Sequence, residues 1–370
     1  MRNSRIVIFV IIAIIMFTSG IFVASYETFP YNILKSLKND FFDLPKKNST
    51  YYENDLNSLI HLQDVSSLQK AKNNLLEFLW KQTYLPEKLP DNVEFDIDDP
   101  RFFSMENLES IDKITINMEN DVNSISYLFK PLVSNNELIL YHQGHRGDFF
   151  EGKNTIQFFL DNNYSVLAFS MPLLGMNDKP IMYHSEFGKI QLTTHNHFEL
   201  LESNSFTPIS LFVEPPVVAL NHIEENFNFN SINTVGLSGG GWTIMMLSAI
   251  DSRIDQSFSI AGSYPIFLRN DPENFGDYEQ HNLSLYKITN YLDLYTLASY
   301  GENRKFIQIF NKFDPCCFHG DSFFQYKDAI KKNILSLENG HFDIFLDDTH
   351  KEHKISDNAL GKIINSLKND

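Results

Sequence analysis

The sequence predicts an α/β protein: a mostly parallel central sheet with helices on both faces, plus an N-terminal membrane segment and a helical or irregular extension. Three observations lead there. From about residue 111 onward, apolar runs of strand length alternate with helix-like segments. These runs are near-continuous rather than alternating, as expected of strands covered on both faces. The chain can also build a large core, because 43% of its 370 residues are hydrophobic and 33 are Phe.

Taken in order, the first element is the N-terminus. Arg2 and Arg5 precede a charge-free run of 19 residues from Ile6 to Ala24. That length just spans a bilayer as a helix. Its most apolar part, Ile6 to Phe17, also has the length of a signal-peptide h-region, and Val23-Ala24-Ser25 resembles a small-residue cleavage site. Residues 1–25 therefore read as a signal anchor, contacting the membrane through residues 6–24, or as a cleaved signal peptide. Both readings export the rest of the chain, because the arginines stay inside. The expected location is membrane-anchored with the main domain outside the cytoplasm, or secreted or periplasmic.

Residues 26–110 form an N-terminal extension, rich in Asn, Asp, Lys and aromatics. Within it, Leu68, Leu75, Phe78 and Leu79 recur at helical spacing. The three prolines of "LPEKLPDNVEFDIDDP" mark a loop. Residues 111–370 form the main domain. "ITINM" and "SISYLFKPL" read as a strand pair, and "NELILYHQG" and "YSVLAFSMP" as buried strands flanking the helix-like "NTIQFFLDNN". "NTVGLSG", "IDQSFSIAG", "RKFIQIFNKFD" and "HFDIFLDD" are further strands, with helices from Trp242, from about 322 and from about 356. In such sheets a ligand sits outside the carboxyl ends of the strands. Two long irregular stretches, about 173–207 and 264–301, follow strand ends on that side and are expected to build the pocket.

The net charge of −17 argues against nucleic acid as a partner, since the phosphate backbone would be repelled. The two cysteines, Cys316 and Cys317, are adjacent and cannot form a disulfide framework. His142 and His145 are ordinary loop histidines or a metal pair; with no third ligand at short spacing, neither metal nor cofactor is expected.

"GLSGG" at 236–240 follows an apolar strand and precedes an apolar helix. This is the setting of a nucleophile elbow, in which a serine sits on a strained turn. Glycines two residues to either side relieve the crowding, and the helix N-terminus favours developing negative charge. Ser238 is thus a candidate nucleophile; the competing reading is a plain helix N-cap. A nucleophilic serine needs an acid and a base. Asp314 stands just after a later strand, where Pro315 ends it. Cys316 and Cys317 are expected to shape that turn as two buried thiols, a vicinal disulfide being the alternative.

Through "HQGHRG", "GLSGGGW", "NKFDPCCF" and "DDTHKEHKIS", residues 111–370 resemble an α/β-hydrolase-fold serine hydrolase of esterase or oligopeptidase-like type. The resemblance implies a sheet of eight strands, a Ser-Asp-His triad in that chain order and an acyl-enzyme mechanism. It also implies that the "HQGHRG" loop supplies the backbone N–H of His145, which with that of Gly239 would form an oxyanion hole.

Three histidines compete for the base. His341 opens the strand "HFDIFLDD", which puts it roughly 20 Å from the carboxyl edge at about 3.3 Å per residue. His350 and His353 follow that strand on the correct side. His353 lies three residues before Ser356, a natural N-cap for the last helix, and is the assigned base, with His350 the alternative. The resulting expectation is a carboxylesterase acting on a small-molecule or glycan ester. A serine peptidase and an inactive binding protein of the same fold are the alternatives.

Overall fold

The computed structural model describes residues 56–269 and 275–368. The segment read as a membrane anchor, 6–24, lies outside the described residues. No helix among the described residues is long and apolar enough to cross a membrane.

The strands are β1 (Asn92–Glu94), β2 (Leu108–Asn117), β3 (Asn123–Pro131), β4 (Glu137–His142), β5 (Ser165–Phe169), β6 (Ile181–His184), β7 (Gly188–Gln191), β8 (Ser231–Leu237), β9 (Gln256–Ile260), β10 (Lys305–Asn311) and β11 (His341–Asp347). Nine form one sheet in the order β1-β2-β3-β5-β4-β8-β9-β10-β11, and β6 with β7 makes a separate hairpin. From β5 to β11 the neighbours are parallel. The β1–β2, β2–β3 and β3–β5 pairs are antiparallel. The ninth strand, beyond the eight expected, is the three-residue β1, which pairs with β2 through Asn92, Val93 and Glu94.

Among the described residues, seven helices of nine residues or more cover the sheet: α1 (Val65–Trp80), α2 (Lys153–Asp161), α3 (Ser210–Asn226), α4 (Gly239–Ile250), α5 (Tyr291–Ser299), α6 (Lys327–Ser336) and α7 (Asp357–Leu367). Alternate strand residues feed opposite faces, as the pleat requires. Ile139, Val166 and Val235 pack with Ile156 and Phe159 of α2 and Leu360 and Ile363 of α7. Leu138, Leu140 and Leu167 pack with Val217 and Leu220 of α3 and Ile244 and Leu247 of α4. Helix α4 is buried on every side, which explains why its sequence is apolar all round.

Two features were masked in the sequence. The described residues from 56 to 368 belong to one compact unit. Helix α1, started by an Asp64–Ser67 capping box, buries Leu68, Leu75 and Leu79 in the same apolar cluster as Trp242, Met245 and Tyr295. Leu75 is fully buried, and burying such a side chain contributes about 1.5–3 kcal/mol. The polar composition of 26–110 hid this, because only one face of α1 is apolar. Helix α3 was hidden by Pro215 and Pro216, which the helix accommodates in its second turn although each lacks an N–H.

Candidate active site

Helix α4 starts at Gly239, three residues earlier than its apolar run suggests, so Ser238 stands at the strand-to-helix junction. Its backbone has φ 56° and ψ −124°, a strained conformation that costs about 1–3 kcal/mol. Surrounding contacts hold it there: the Ser238 N–H donates to Ile260 O at 2.8 Å, and Trp242 N–H donates to Ser238 O at 3.1 Å. The side chain makes no cap hydrogen bond, so the helix-capping role does not account for this serine. The two flanking glycines are required by close approach. A Cβ at Gly236 would lie 2.3 Å from Gly240 O, and one at Gly240 would lie 2.1 Å from His142 O.

Strand pairing sets Asn311 of β10 beside Asp347 of β11, so the loops after both strands leave the sheet together. They bring Asp314 and His353 into contact. His353 Nδ1 lies 2.7 Å from Asp314 Oδ2, and both residues are buried. Asp314 Oδ1 accepts the N–H groups of Cys316, at 2.8 Å, and Cys317, at 3.4 Å. With the carboxylate acting as acceptor, the proton of the 2.7 Å contact belongs to His353 Nδ1, leaving Nε2 as a lone pair. Asn311, a residue the sequence did not single out, ties the loops together. Its Nδ2 donates to Lys354 O at 3.0 Å and to Asp314 Oδ2 at 3.3 Å.

His353 and Ser238 line one cavity of about 290 Å³, with Gln143, Gly144, Gly239 and Gln280 also in its wall. The later irregular stretch contributes to this wall through Gly276, Asp277 and Gln280; the earlier one, 173–207, contributes no lining residue among those described. His350 is elsewhere. Its Nδ1 accepts Glu352 N–H at 3.1 Å, its Nε2 lies 3.4 Å from Asp347 Oδ2, and it lines a different cavity. His341 is exposed at the start of β11. Cys316 and Cys317 are joined as a disulfide rather than free, and Cys316 is exposed. The buried-thiol expectation fails, since neither cysteine is buried and both line the cavity.

The loop after β4 lies directly on Ser238: a Cβ at Gly144 would approach Ser238 Cβ to 2.7 Å. His142 is buried, its Nδ1 2.9 Å from Gln143 O. Burial lowers its pKa to about 4, so it is neutral. His145 instead joins three groups far away in sequence. Its Nε2 lies 3.0 Å from Asp277 Oδ2 and 3.1 Å from Glu279 Oε1, while His195 Nδ1 lies 3.5 Å from Glu279 Oε2. Burial disfavours charge on His145, but Glu279 and then Asp277 outweigh it and raise its pKa to about 10. Burial likewise pushes the Glu279 carboxyl up, yet His145 and His195 hold it well below the usual range. Short-range spacing contained no signal for this cluster, since its members lie 50 to more than 80 residues apart in the chain except Asp277 and Glu279.

The chain matches no protein-family model and no curated protein sequence. Solved structures share its fold at low identity. Acetyl xylan esterase 1 from Thermoanaerobacterium sp. JW/SL YS485 is 13% identical with a TM-score of 0.52, over 81% of this chain and 92% of that one. Glucuronoyl esterase from Solibacter usitatus is 11% identical with a TM-score of 0.54, over 82% and 93%. A Bacteroides fragilis NCTC 9343 protein named a "putative acetyl xylan esterase" is 12% identical with a TM-score of 0.56, over 82% and 87%. The nine-stranded sheet, the serine at its strand-to-helix junction and these likenesses together give the chain the α/β-hydrolase fold.

Proposed function

We propose that the protein is a serine hydrolase that cleaves an ester bond through an acyl-enzyme, with Ser238 as nucleophile, His353 as base and Asp314 as the acid that orients it. The observation that carries this reading is the buried 2.7 Å His353–Asp314 contact on the wall of the cavity that Ser238 also lines. In this mechanism His353 Nε2 takes the Ser238 Oγ proton as Oγ attacks the ester carbonyl. Asp314 holds the imidazole in the required tautomer and stabilises its charge. The oxyanion is received by the N–H of Gly239, at the free start of α4, and that of His145 in the loop lying on Ser238. Collapse expels the alcohol, protonated by His353, and water releases the acid in a second cycle. A cavity of about 290 Å³ suits a small acyl group better than a long one. The neighbours named for glycan esters favour a sugar-borne ester over a peptide, and the substrate is proposed on that basis.

A fluorophosphonate probe tests the reading on the full-length chain. Wild type should label at Ser238 and lose esterase activity in step, while Ser238→Ala should not label and should lose roughly 10⁴- to 10⁶-fold in kcat. A Ser238→Ala protein that keeps more than a tenth of turnover would remove Ser238 from the mechanism. Comparing short acyl esters with peptide amides then separates esterase from peptidase. Wild type that turns over neither and does not label would leave the binding-protein reading.

A further inference from the structure

Four side chains that the proposed chemistry does not use meet beside the cavity: His145, His195, Asp277 and Glu279, with ligand atoms all within 4.8 Å of one another. The geometry points to a binding site for one divalent first-row transition ion, zinc by its donor set, held by His145 Nε2, His195 Nδ1, Asp277 Oδ2 and the Glu279 carboxylate. This inference is independent of the serine-hydrolase reading and survives its failure.

The first argument is a tautomer. His195 Nε2 lies 2.9 Å from Pro172 O, which can only accept, so Nε2 carries the hydrogen. In the neutral ring its Nδ1 lone pair then faces Glu279 Oε2 at 3.5 Å. Two lone pairs opposed in a buried place repel unless a cation lies between them. An imidazole fixed by donating its other N–H to a backbone carbonyl is the usual support of a metal-bound histidine. Stacking on Phe198 at 5.7 Å between ring centroids holds the His195 ring in that orientation.

The second argument is alignment. His145 Nε2 is close to both carboxylates, yet neither it nor either Glu279 oxygen has a correctly directed hydrogen bond among the described residues. A proton on His145 therefore satisfies the distances but not the angles. A metal takes each lone pair directly and needs no donor hydrogen. Bonds of about 2.0–2.2 Å set neighbouring ligand atoms about 3.0 Å apart at right angles and about 3.4 Å apart at the tetrahedral angle. The three contacts here are 3.0, 3.1 and 3.5 Å. The Glu279 side chain has no exposure to solvent, and a carboxylate so placed is costly without a cation.

The third argument is chemistry. Two imidazoles with two carboxylates select a transition ion over calcium or magnesium, which prefer oxygen-only sets. Four protein ligands close a site of structural type. Such an ion would pin three segments together: the loop on Ser238, the helical turn at 195–201, and the segment whose Asp277 lines the cavity. Its part is positioning, not catalysis.

The test strips the full-length chain with a chelator, adds zinc chloride, removes the excess by desalting and counts bound metal by plasma mass spectrometry. Wild type should retain about one zinc per chain, and zinc should raise its unfolding temperature. Glu279→Gln and Asp277→Asn should retain zinc at least about tenfold more weakly and lose the thermal shift. Asp277 is half-exposed, so its variant keeps the fold if Glu279→Gln does not. His353→Ala should still bind one zinc, which separates this site from the neighbouring Cys316, Cys317 and His353 group. Folded wild type that retains no zinc overturns the proposal. So does zinc retained undiminished by Asp277→Asn and Glu279→Gln, or zinc lost in His353→Ala alone.

Discussion

His350 and His353 stand three residues apart in one loop, and each faces a carboxylate at the end of a neighbouring strand. For His353 the partner is Asp314, at 2.7 Å, beyond the end of β10. For His350 it is Asp347, at 3.4 Å, the last residue of β11. The partners differ in what else they hold. Asp347 accepts hydrogen bonds from Thr349 at 2.6 Å, from Asn358 at 3.1 Å and from the Ser356 hydroxyl. Its oxygens are consumed in shaping the loop and starting α7. Asp314 has one oxygen on the N–H groups of its own turn and presents the other to the imidazole. In the proposed mechanism, a histidine beside a carboxylate is not a base by that fact alone. The carboxylate must have an oxygen to spare, and the far ring nitrogen must reach the cavity. The Asp347 network frames the loop; the Asp314 pair occupies what it frames.

The largest expected effect tests the occupied side of this contrast. His353→Ala should lower kcat for ester hydrolysis roughly 10⁴- to 10⁶-fold, with Asp314→Asn falling roughly 10⁴-fold, in a steady-state assay. Equal losses in His350→Ala would erase the distinction between the two histidines. Next comes the frame. Burial raises the Asp347 carboxyl, but the Ser356, Thr349 and Asn358 bonds hold it below its usual range. A depressed folded-state value stabilises the fold above the unfolded pKa, and that stability is lost as pH falls through the folded one. Asp347→Asn should cost about 1–3 kcal/mol in denaturant unfolding at neutral pH. The gap to wild type should shrink on acidification; a gap that does not change with pH would show that charge is not what Asp347 contributes.

Smaller again is His350→Ala, expected to change kcat/KM within about tenfold, which is about 1.4 kcal/mol of barrier. A fall approaching that of His353→Ala would move the base to His350. The smallest effect is at the disulfide. Alkylation without reductant should add no group to Cys316 or Cys317. Cys317→Ser should lower kcat/KM only about threefold or less, because the backbone N–H groups that hold Asp314 remain. A loss of a hundredfold or more would make the disulfide itself part of how Asp314 is held.

Much of this was legible in the chain. The parallel strands were legible because fully buried strands are continuously apolar, and the place of Ser238 because glycines on both sides mark a tight strand-to-helix junction. Asp314 and His353 were legible as positions after strand ends, and Ser356 as the cap that places His353. Less legible were elements whose signal was masked. Helix α3 hides behind two prolines, and the three glycines at the start of α4 weaken its helical pattern. Those glycines are there because a Cβ at Gly241 would meet Gly262 Cα at 2.9 Å, a demand of packing and not of propensity.

The sequence by itself determined the order of the eight longer strands of the main sheet, the helices other than α3 and α5, and the strained turn at Ser238. These follow from periodicity and turn chemistry, which act over a few residues. Tertiary structure alone decided that α1 closes the core over α4, that Asn311 ties the Asp314 and His353 loops together, and that His145 gathers His195, Asp277 and Glu279. Each of those depends on which loops share the carboxyl edge of the sheet. That is set by strand pairing across tens to hundreds of residues, where local pattern carries no distance.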